Sequence, residues 1–253
     1  MRFAGIDIGS RTIAMVVWER GRLAFSRVVD SGPNPVERAA QLLGDVGKYR
    51  RVVATGYGRH AARAAFAHEI ITEIKAHALG ARAVYPQCRT VLDIGGQDIK
   101  VIRLDDNGRV VDFLMNEKCA AGTGKFVEVM AQTLGLDLTQ FACMALATSE
   151  RVTLNSTCAV FAETEVVSLL ARGVKAEAVA RAVLESVCAK AASMLHRVGL
   201  KPALVFTGGV ALLSGIADLL GARLRTEVVI PSDPQIVGAL GAALYGQIKE
   251  AGL

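Results

Sequence analysis

Two short segments place carboxylates where polyphosphate chemistry needs them. In Asp7-Ile8-Gly9-Ser10-Arg11-Thr12 an apolar strand delivers a carboxylate and Gly9 lets backbone approach a phosphate, while the Ser10 and Thr12 hydroxyls, with Arg11 between them, can bind it. Asp93-Ile94-Gly95-Gly96-Gln97 repeats the arrangement, with Lys100 on the strand that returns from the turn. From opposite sides of a polyphosphate, Asp7 and Asp93 would hold Mg²⁺, through water, and with Gln97 would orient an attacking water, with Gly96 against a phosphate. One Asp-x-Gly turn alone is an ordinary hairpin, so the weight lies on the pair and on a third motif, Phe206-Thr207-Gly208-Gly209-Val210-Ala211. There an apolar strand ends in Gly208 and Gly209 before a helix, which lets backbone lie against a nucleoside. The expected ligand is ATP or ADP with Mg²⁺.

A fourth segment looks like part of a Walker A loop, but Cys119 stands where glycine is needed and Phe126 where Ser or Thr is needed. The P-loop reading fails twice. Gly122, Thr123 and Gly124 remain as a nucleotide-facing turn, with Lys125 as a cation able to reach a phosphate.

The elements that must position these residues come from an internal repeat. Residues 5–25, GIDIGSRTIAMVVWERGRLAF, resemble residues 91–113, VLDIGGQDIKVIRLDDNGRVVDF, and the two aspartates are offset by 93 − 7 = 86 residues. Each copy reads as a strand, an Asp-Ile-Gly turn, a second alternating strand and a hairpin tip at Gly21-Arg22 or Asn107-Gly108-Arg109. A second echo, Ala78-Leu79-Gly80-Ala81 and Ala239-Leu240-Gly241-Ala242, predicts two helices whose small faces cross closely at a hinge. Further helices are predicted from Pro35 to Val46, about Glu69 to Ala83, Gly124 to Leu134, Phe161 to Arg172 and Lys175 to Val198, with strands at Arg51 to Ala54 and Ala203 to Phe206. The class is α/β, with two related lobes of mixed sheet and helices around a nucleotide cleft. The first is expected to span residues 1–87 plus 232–253, the second residues 88–231.

Composition bounds the alternatives. The 253 residues are 52% hydrophobic, ample for a buried core, yet no stretch reaches the roughly 18 uninterrupted apolar residues of a membrane span. The N-terminus runs straight into a strand pattern with no signal-peptide layout, so a cytoplasmic location is expected. The net charge of +5 is spread along the chain without basic blocks interleaved with aromatics, which argues against nucleic acid. Five cysteines, Cys88, Cys119, Cys143, Cys158 and Cys188, contain no CxxC pair, which argues against a disulfide framework and leaves metal ligation open.

The phosphate and adenosine motifs resemble those of the acetate and sugar kinase, heat-shock protein and actin superfamily. Much more closely, the chain resembles the ATP-dependent activators of 2-hydroxyacyl-CoA dehydratases and the ATP-binding subunits of benzoyl-CoA reductases. The residues behind this are Thr55-Gly56-Tyr57-Gly58-Arg59, Glu73-Ile74 with His77-Ala78-Leu79-Gly80-Ala81, Asp93 through Val101, and Met115 through Gly124. Ser156-Thr157-Cys158-Ala159-Val160-Phe161-Ala162-Glu163 and Thr207-Gly208-Gly209-Val210 complete the set, which runs in order from Gly5 to Gly241.

The resemblance implies an actin-like ATPase fold and a homodimer in which Cys119 and Cys158 of each subunit bind one [4Fe-4S] cluster at the interface. The count is chemically sensible, since a cubane takes four thiolates and a twofold axis doubles two. Each cysteine precedes a predicted helix, whose free N–H groups would point toward the cluster. It further implies a ferredoxin or flavodoxin donor, a dehydratase-type or related reductase partner, and ATP hydrolysis that changes the angle between lobes. Many relatives in that group carry Lys where this chain has Ala14, so one charge contact near the phosphates or lobe interface is expected to be missing. A kinase-like phosphotransferase and an actin-type regulatory ATPase are the rival readings; neither gives Cys119 and Cys158 a role.

Overall fold

A computed structural model of the chain describes residues 1–154 and 158–252. Two five-stranded mixed sheets carry the fold. The first contains β1 (Arg2–Ile8), β2 (Thr12–Glu19), β3 (Arg22–Asp30), β4 (Arg51–Thr55) and β5 (Glu69–Ile70), in the order β3-β2-β1-β4-β5. The second contains β6 (Thr90–Ile94), β7 (Ile99–Leu104), β8 (Val110–Asn116), β9 (Leu204–Thr207) and β10 (Val228–Val229), in the order β8-β7-β6-β9-β10. The orders match strand for strand. In each, the Asp-Ile-Gly strand pairs antiparallel with the next strand and parallel with a later one, so Asp7 lies beside Ala14 and Thr55 as Asp93 lies beside Lys100 and Thr207.

Side-chain alternation along these strands decides what packs where. Ala4, Ile6 and Ile8 of β1 enter a core with Ala39, Leu42 and Leu43 of α1 (Pro35–Val46) and Ala62 of α2 (Arg59–Ala65). The opposite face, with Gly5 and Asp7, meets α9 (Val237–Glu250). In β6, Leu92 and Ile94 enter the largest core, shared with α4 (Gly124–Thr133), α5 (Leu138–Leu146), α6 (Ala159–Ala171), α7 (Ala176–Val198) and α8 (Ile216–Leu224). Val91, on the other face, packs with Ala78 and Ala81 of α3 (Glu73–Val84). Both aspartates therefore end up on the faces that α3 and α9 occupy.

Helices α3 and α9 cross at backbone contact, as their small residues predict. A Cβ on Gly80 would lie 2.0 Å from the Val237 carbonyl oxygen, and one on Gly241 would lie 1.8 Å from that of Ala76. Gly241→Ala is therefore expected to lose stability, by about 1–3 kcal/mol or more. Gly44→Ala, on the exposed face of α1 with nothing within 4 Å of the added atom, should gain roughly 0.5–1 kcal/mol from helix propensity. Urea melts of the pair check this, and a Gly241→Ala protein at least as stable as the parent would contradict the crossing.

The helix boundary that differs most from expectation is the start of α3. The helix expected from about Glu69 starts at Glu73, because Glu69 and Ile70 pair with Val53 and Ala54 as β5, and the Thr72 hydroxyl caps α3 by accepting from the Lys75 amide at 3.3 Å. Helices α2, α5 and α8, not foreseen, are short; α5 carries a full capping box between Asp137 and Gln140. No single helix among the described residues is long and apolar enough to cross a membrane.

Candidate functional site

The two Asp-Ile-Gly turns close with the same hydrogen bond: Gly9 N donates to Thr12 O and Gly95 N to Asp98 O, each at 3.0 Å. The parallel neighbour of each strand ends in Thr-Gly, and the glycines have φ values of +86° at Gly56 and +89° at Gly208, a region that favours glycine. A Cβ on Gly56 would lie 2.5 Å from Asp7 Oδ1, and one on Gly208 2.9 Å from Asp93 Oδ1. The repeat thus extends to a third strand, Ala54-Thr55-Gly56 matching Phe206-Thr207-Gly208. That correspondence is readable in the sequence as a shared Thr-Gly after an apolar strand.

Between the sheets lies a cleft of about 440 Å³. Asp7, Gly9, Ser10, Arg11, Thr12, Asp93, Gly95, Gly96, Lys100, Gly124, Gly208 and Gly209 all line it. Gln97 is exposed and does not, and neither do Gly122, Thr123 and Lys125. Thr123 is buried with its hydroxyl on the Ala120 carbonyl at 2.6 Å, and Lys125 Nζ lies 3.2 Å from Glu128. Arg11, from the first turn, is paired with Glu128 of α4, which also lines the cleft. Leu138, Thr139, Leu212, Leu213 and Gln235 furnish the wall beside Gly208 and Gly209.

The cleft floor is a buried charge network. Lys100, 3% exposed, sits 2.8 Å from Glu73 Oε2, 3.2 Å from Asp93 Oδ2 and 2.7 Å from Asp98 Oδ2. Burial works against its charge, but the three carboxylates hold its pKa well above the ordinary lysine value. Burial works to raise Asp93, yet His77, Lys100 and the Thr207 hydroxyl bring it below the usual carboxylate value. Asp7 goes the other way: burial first, then Glu73, push it up to about 7. The surroundings thus favour the charged form of Asp93 and the protonated form of Asp7. Such splitting of paired carboxylates is what hydrolytic sites use.

Glu73, His77 and Asp98 had no role in the sequence reading. Glu73 and His77 are one turn apart on α3, and that i, i+4 spacing inside a motif was the available signal. Ala14, in the position matching Lys100, packs instead with Val16, Ile236, Ala239 and Leu240 in an apolar cluster against α9. Ala14 also lines the cleft.

Cys119 and Cys158 are both free and exposed, as is Cys143, while Cys88 and Cys188 are buried. Cys119 lies on the loop between β8 and α4, where Asn116 Nδ2 donates to its carbonyl at 3.0 Å; Cys158 is the N-cap of α6. Ser156 and Thr157 of the motif around Cys158 fall outside the described residues. One expectation changes: the amides at the start of α4 are not free, because Gly124 N donates to Gly95 O at 2.9 Å and Lys125 N to Gly96 O at 2.8 Å. The second phosphate turn occupies them. Among the described residues no group of three or more His, Cys, Asp or Glu side chains could hold a metal ion.

A family model for the BadF/BadG/BcrA/BcrD ATPase family matches residues 4–246. The chain belongs to that family. The activator of lactoyl-CoA dehydratase from Anaerotignum propionicum is 41% identical over 249 residues, covering 95% of both chains. The structure of component A of (R)-2-hydroxyglutaryl-CoA dehydratase from Acidaminococcus fermentans superposes with a TM-score of 0.93 at 36% identity, covering 99% of each chain. The activator of 2-hydroxyisocaproyl-CoA dehydratase from Clostridium difficile, solved with bound ADPNP, gives 0.90 at 39% identity, covering 100% of this chain and 97% of that one. The fold is the actin-like ATPase fold, and the BadF/BadG/BcrA/BcrD chain described here is an ATPase of that group.

Proposed function

We propose that the chain is an ATP-driven electron-transfer activator of a 2-hydroxyacyl-CoA dehydratase-type enzyme, working as a homodimer and receiving electrons from ferredoxin or flavodoxin. Cys119 and Cys158 of two copies would supply the thiolates of one [4Fe-4S] cluster, whose chemistry when bound is one-electron transfer at low potential. Both thiols are free and reach the surface on loops, which suits a ligand set shared with a second copy.

The remaining work falls to the chain's own side chains and backbone. Asp7 and Asp93 face each other at the ends of equivalent strands and would hold Mg²⁺ through water; Ser10, Thr12 and Gly96 would take the phosphates, and Gly208 and Gly209 the adenosine. The two lobes, residues 1–87 with 232–253 and residues 88–231, would turn about the α3–α9 crossing.

The observation that carries the coupling is the pair of hydrogen bonds from Gly124 and Lys125 to the Gly95 and Gly96 carbonyls, with Asn116 holding the Cys119 carbonyl. Loss of the γ-phosphate frees the turn at Gly95-Gly96, and its movement is passed directly to the helix that follows Cys119.

Thiol accessibility tests the ligand assignment. Cluster-free native protein should expose Cys119, Cys143 and Cys158 to an alkylating reagent, while Cys88 and Cys188, whose thiols burial pushes up to about 12, stay unreacted. After anaerobic loading with iron and sulfide only Cys143 should still react. Undiminished labelling of Cys119 and Cys158 in loaded protein would sink the assignment.

A further inference from the structure

One buried group at the cleft floor has no part in phosphate, metal or cluster binding as described so far. His77 lies one turn beyond Glu73 on α3 and is 5% exposed. Its ring stands between the two aspartates of opposite sheets, with Nδ1 3.6 Å from Asp93 Oδ1 and Nε2 4.0 Å from Asp7 Oδ2. Those separations are too long for hydrogen bonds from the ring to either carboxylate. The Thr207 hydroxyl fills the nearer gap: it is 3.5 Å from His77 Nδ1 and donates to Asp93 Oδ1 at 2.9 Å.

The ring is also confined from behind. A Cβ on Gly238, in the first turn of α9, would lie 2.4 Å from Asp7 Oδ2 and 3.0 Å from His77 Nε2. Asp7 is therefore held between α9 backbone and an imidazole carried by α3, and Asp93 between that imidazole, Thr207 and Lys100. The polar ring sits among carboxylates and backbone, where leucine or alanine would remove the polar edge beside the Thr207 hydroxyl and leave that hydroxyl Asp93 Oδ1 and, at 3.4 Å, the Leu92 carbonyl. A ring with a polar edge toward each carboxylate keeps the two apart and fixes their directions, which is what a metal-binding pair drawn from two different sheets needs.

We propose that His77 is a positioning residue for ATP hydrolysis, setting the separation and orientation of Asp7 and Asp93 and tying that geometry to the α3–α9 crossing. The inference rests on the hydrolytic roles given to those two aspartates above, and not on the cluster.

The test is steady-state ATPase kinetics on His77→Ala, His77→Leu and His77→Asn, each with a thermal melt. Alanine and leucine should lower kcat by about 30-fold or more while the KM for MgATP stays within about threefold, the pattern of lost transition-state positioning. Asparagine, which keeps a polar group near the Nδ1 position beside Thr207, should recover about tenfold of that loss. Leucine fills the volume without the polar edge, so a His77→Leu protein that matches or exceeds His77→Asn would overturn the proposal, as would a loss confined to KM. Thr207→Val, isosteric within β9, covers the case in which the His77 variants do not fold: a kcat fall of about tenfold is expected, and an unchanged kcat overturns the proposal. Asp93→Asn separates the two levels. If that variant still hydrolyses ATP, the aspartate assignment fails; if it is inactive and His77→Leu is normal, only the role of His77 fails.

Discussion

Asp93→Asn is expected to lower ATP hydrolysis by about 10²–10⁴-fold while nucleotide still binds and the protein stays folded. Asp93 is the carboxylate whose surroundings keep it ionised: burial opposes the charge, but His77, Lys100 and the Thr207 hydroxyl outweigh it. Asparagine preserves the shape and an acceptor for Thr207, so what is removed is the charge and the ability to take a proton. Nucleotide binding, which the proposal spreads over Ser10, Thr12, Gly96, Gly208 and Gly209, should change little. Single-turnover hydrolysis and equilibrium binding of a nucleotide analogue separate the two, and hydrolysis above a tenth of the parent rate would assign the chemistry to another group.

The second large effect is on stability. Lys100→Met leaves Asp93, Asp98 and Glu73, with side chains 4%, 7% and 16% exposed, without their shared cation. Removing one partner from a buried ionic cluster costs about 3–5 kcal/mol, which for a chain of this size is roughly 6–20 °C in Tm. The sign with pH follows from proton linkage. Without Lys100 the folded carboxylates hold protons more tightly than the unfolded ones, so the variant gains stability relative to the parent as pH falls. The gap in Tm should therefore be wide near pH 8 and narrower near pH 5. A small gap that does not vary with pH would mean that the carboxylates find compensation elsewhere.

Lys100 also shows where sequence reading stops. It falls on the returning strand of the second hairpin, so proximity to phosphates follows, and it does line the cleft. That Glu73 on α3 and Asp98 in the turn would close around its ammonium depends on how α3 packs across the second sheet, which no local pattern encodes. The Asp-Ile-Gly hairpins were legible because each is a contiguous stretch in which period-two alternation and a glycine turn agree. The third strand of each repeat was not. Thr55 follows Asp7 by 55 − 7 = 48 residues and Thr207 follows Asp93 by 207 − 93 = 114 residues, because α4 to α7 are inserted in the second copy.

The same limit applies to His77. Its i, i+4 relation to Glu73 is visible on one helix face, but its other neighbours, Asp7 and Thr207, come from strands remote in sequence. The crossing of α3 and α9 was legible because Gly80 and Gly241 sit in identical Ala-Leu-Gly-Ala tetrapeptides. The occupied amides at the start of α4 were not legible, since nothing in Gly122-Thr123-Gly124 says that the Gly95-Gly96 turn will lie against them.

The most direct test of the central claim, that this ATP site drives an iron–sulfur electron carrier, is the iron and acid-labile sulfide content of protein purified without oxygen. One cubane bridging two copies predicts about two of each per chain. Values near zero that persist after anaerobic reconstitution would contradict it and leave an actin-like ATPase without a cluster.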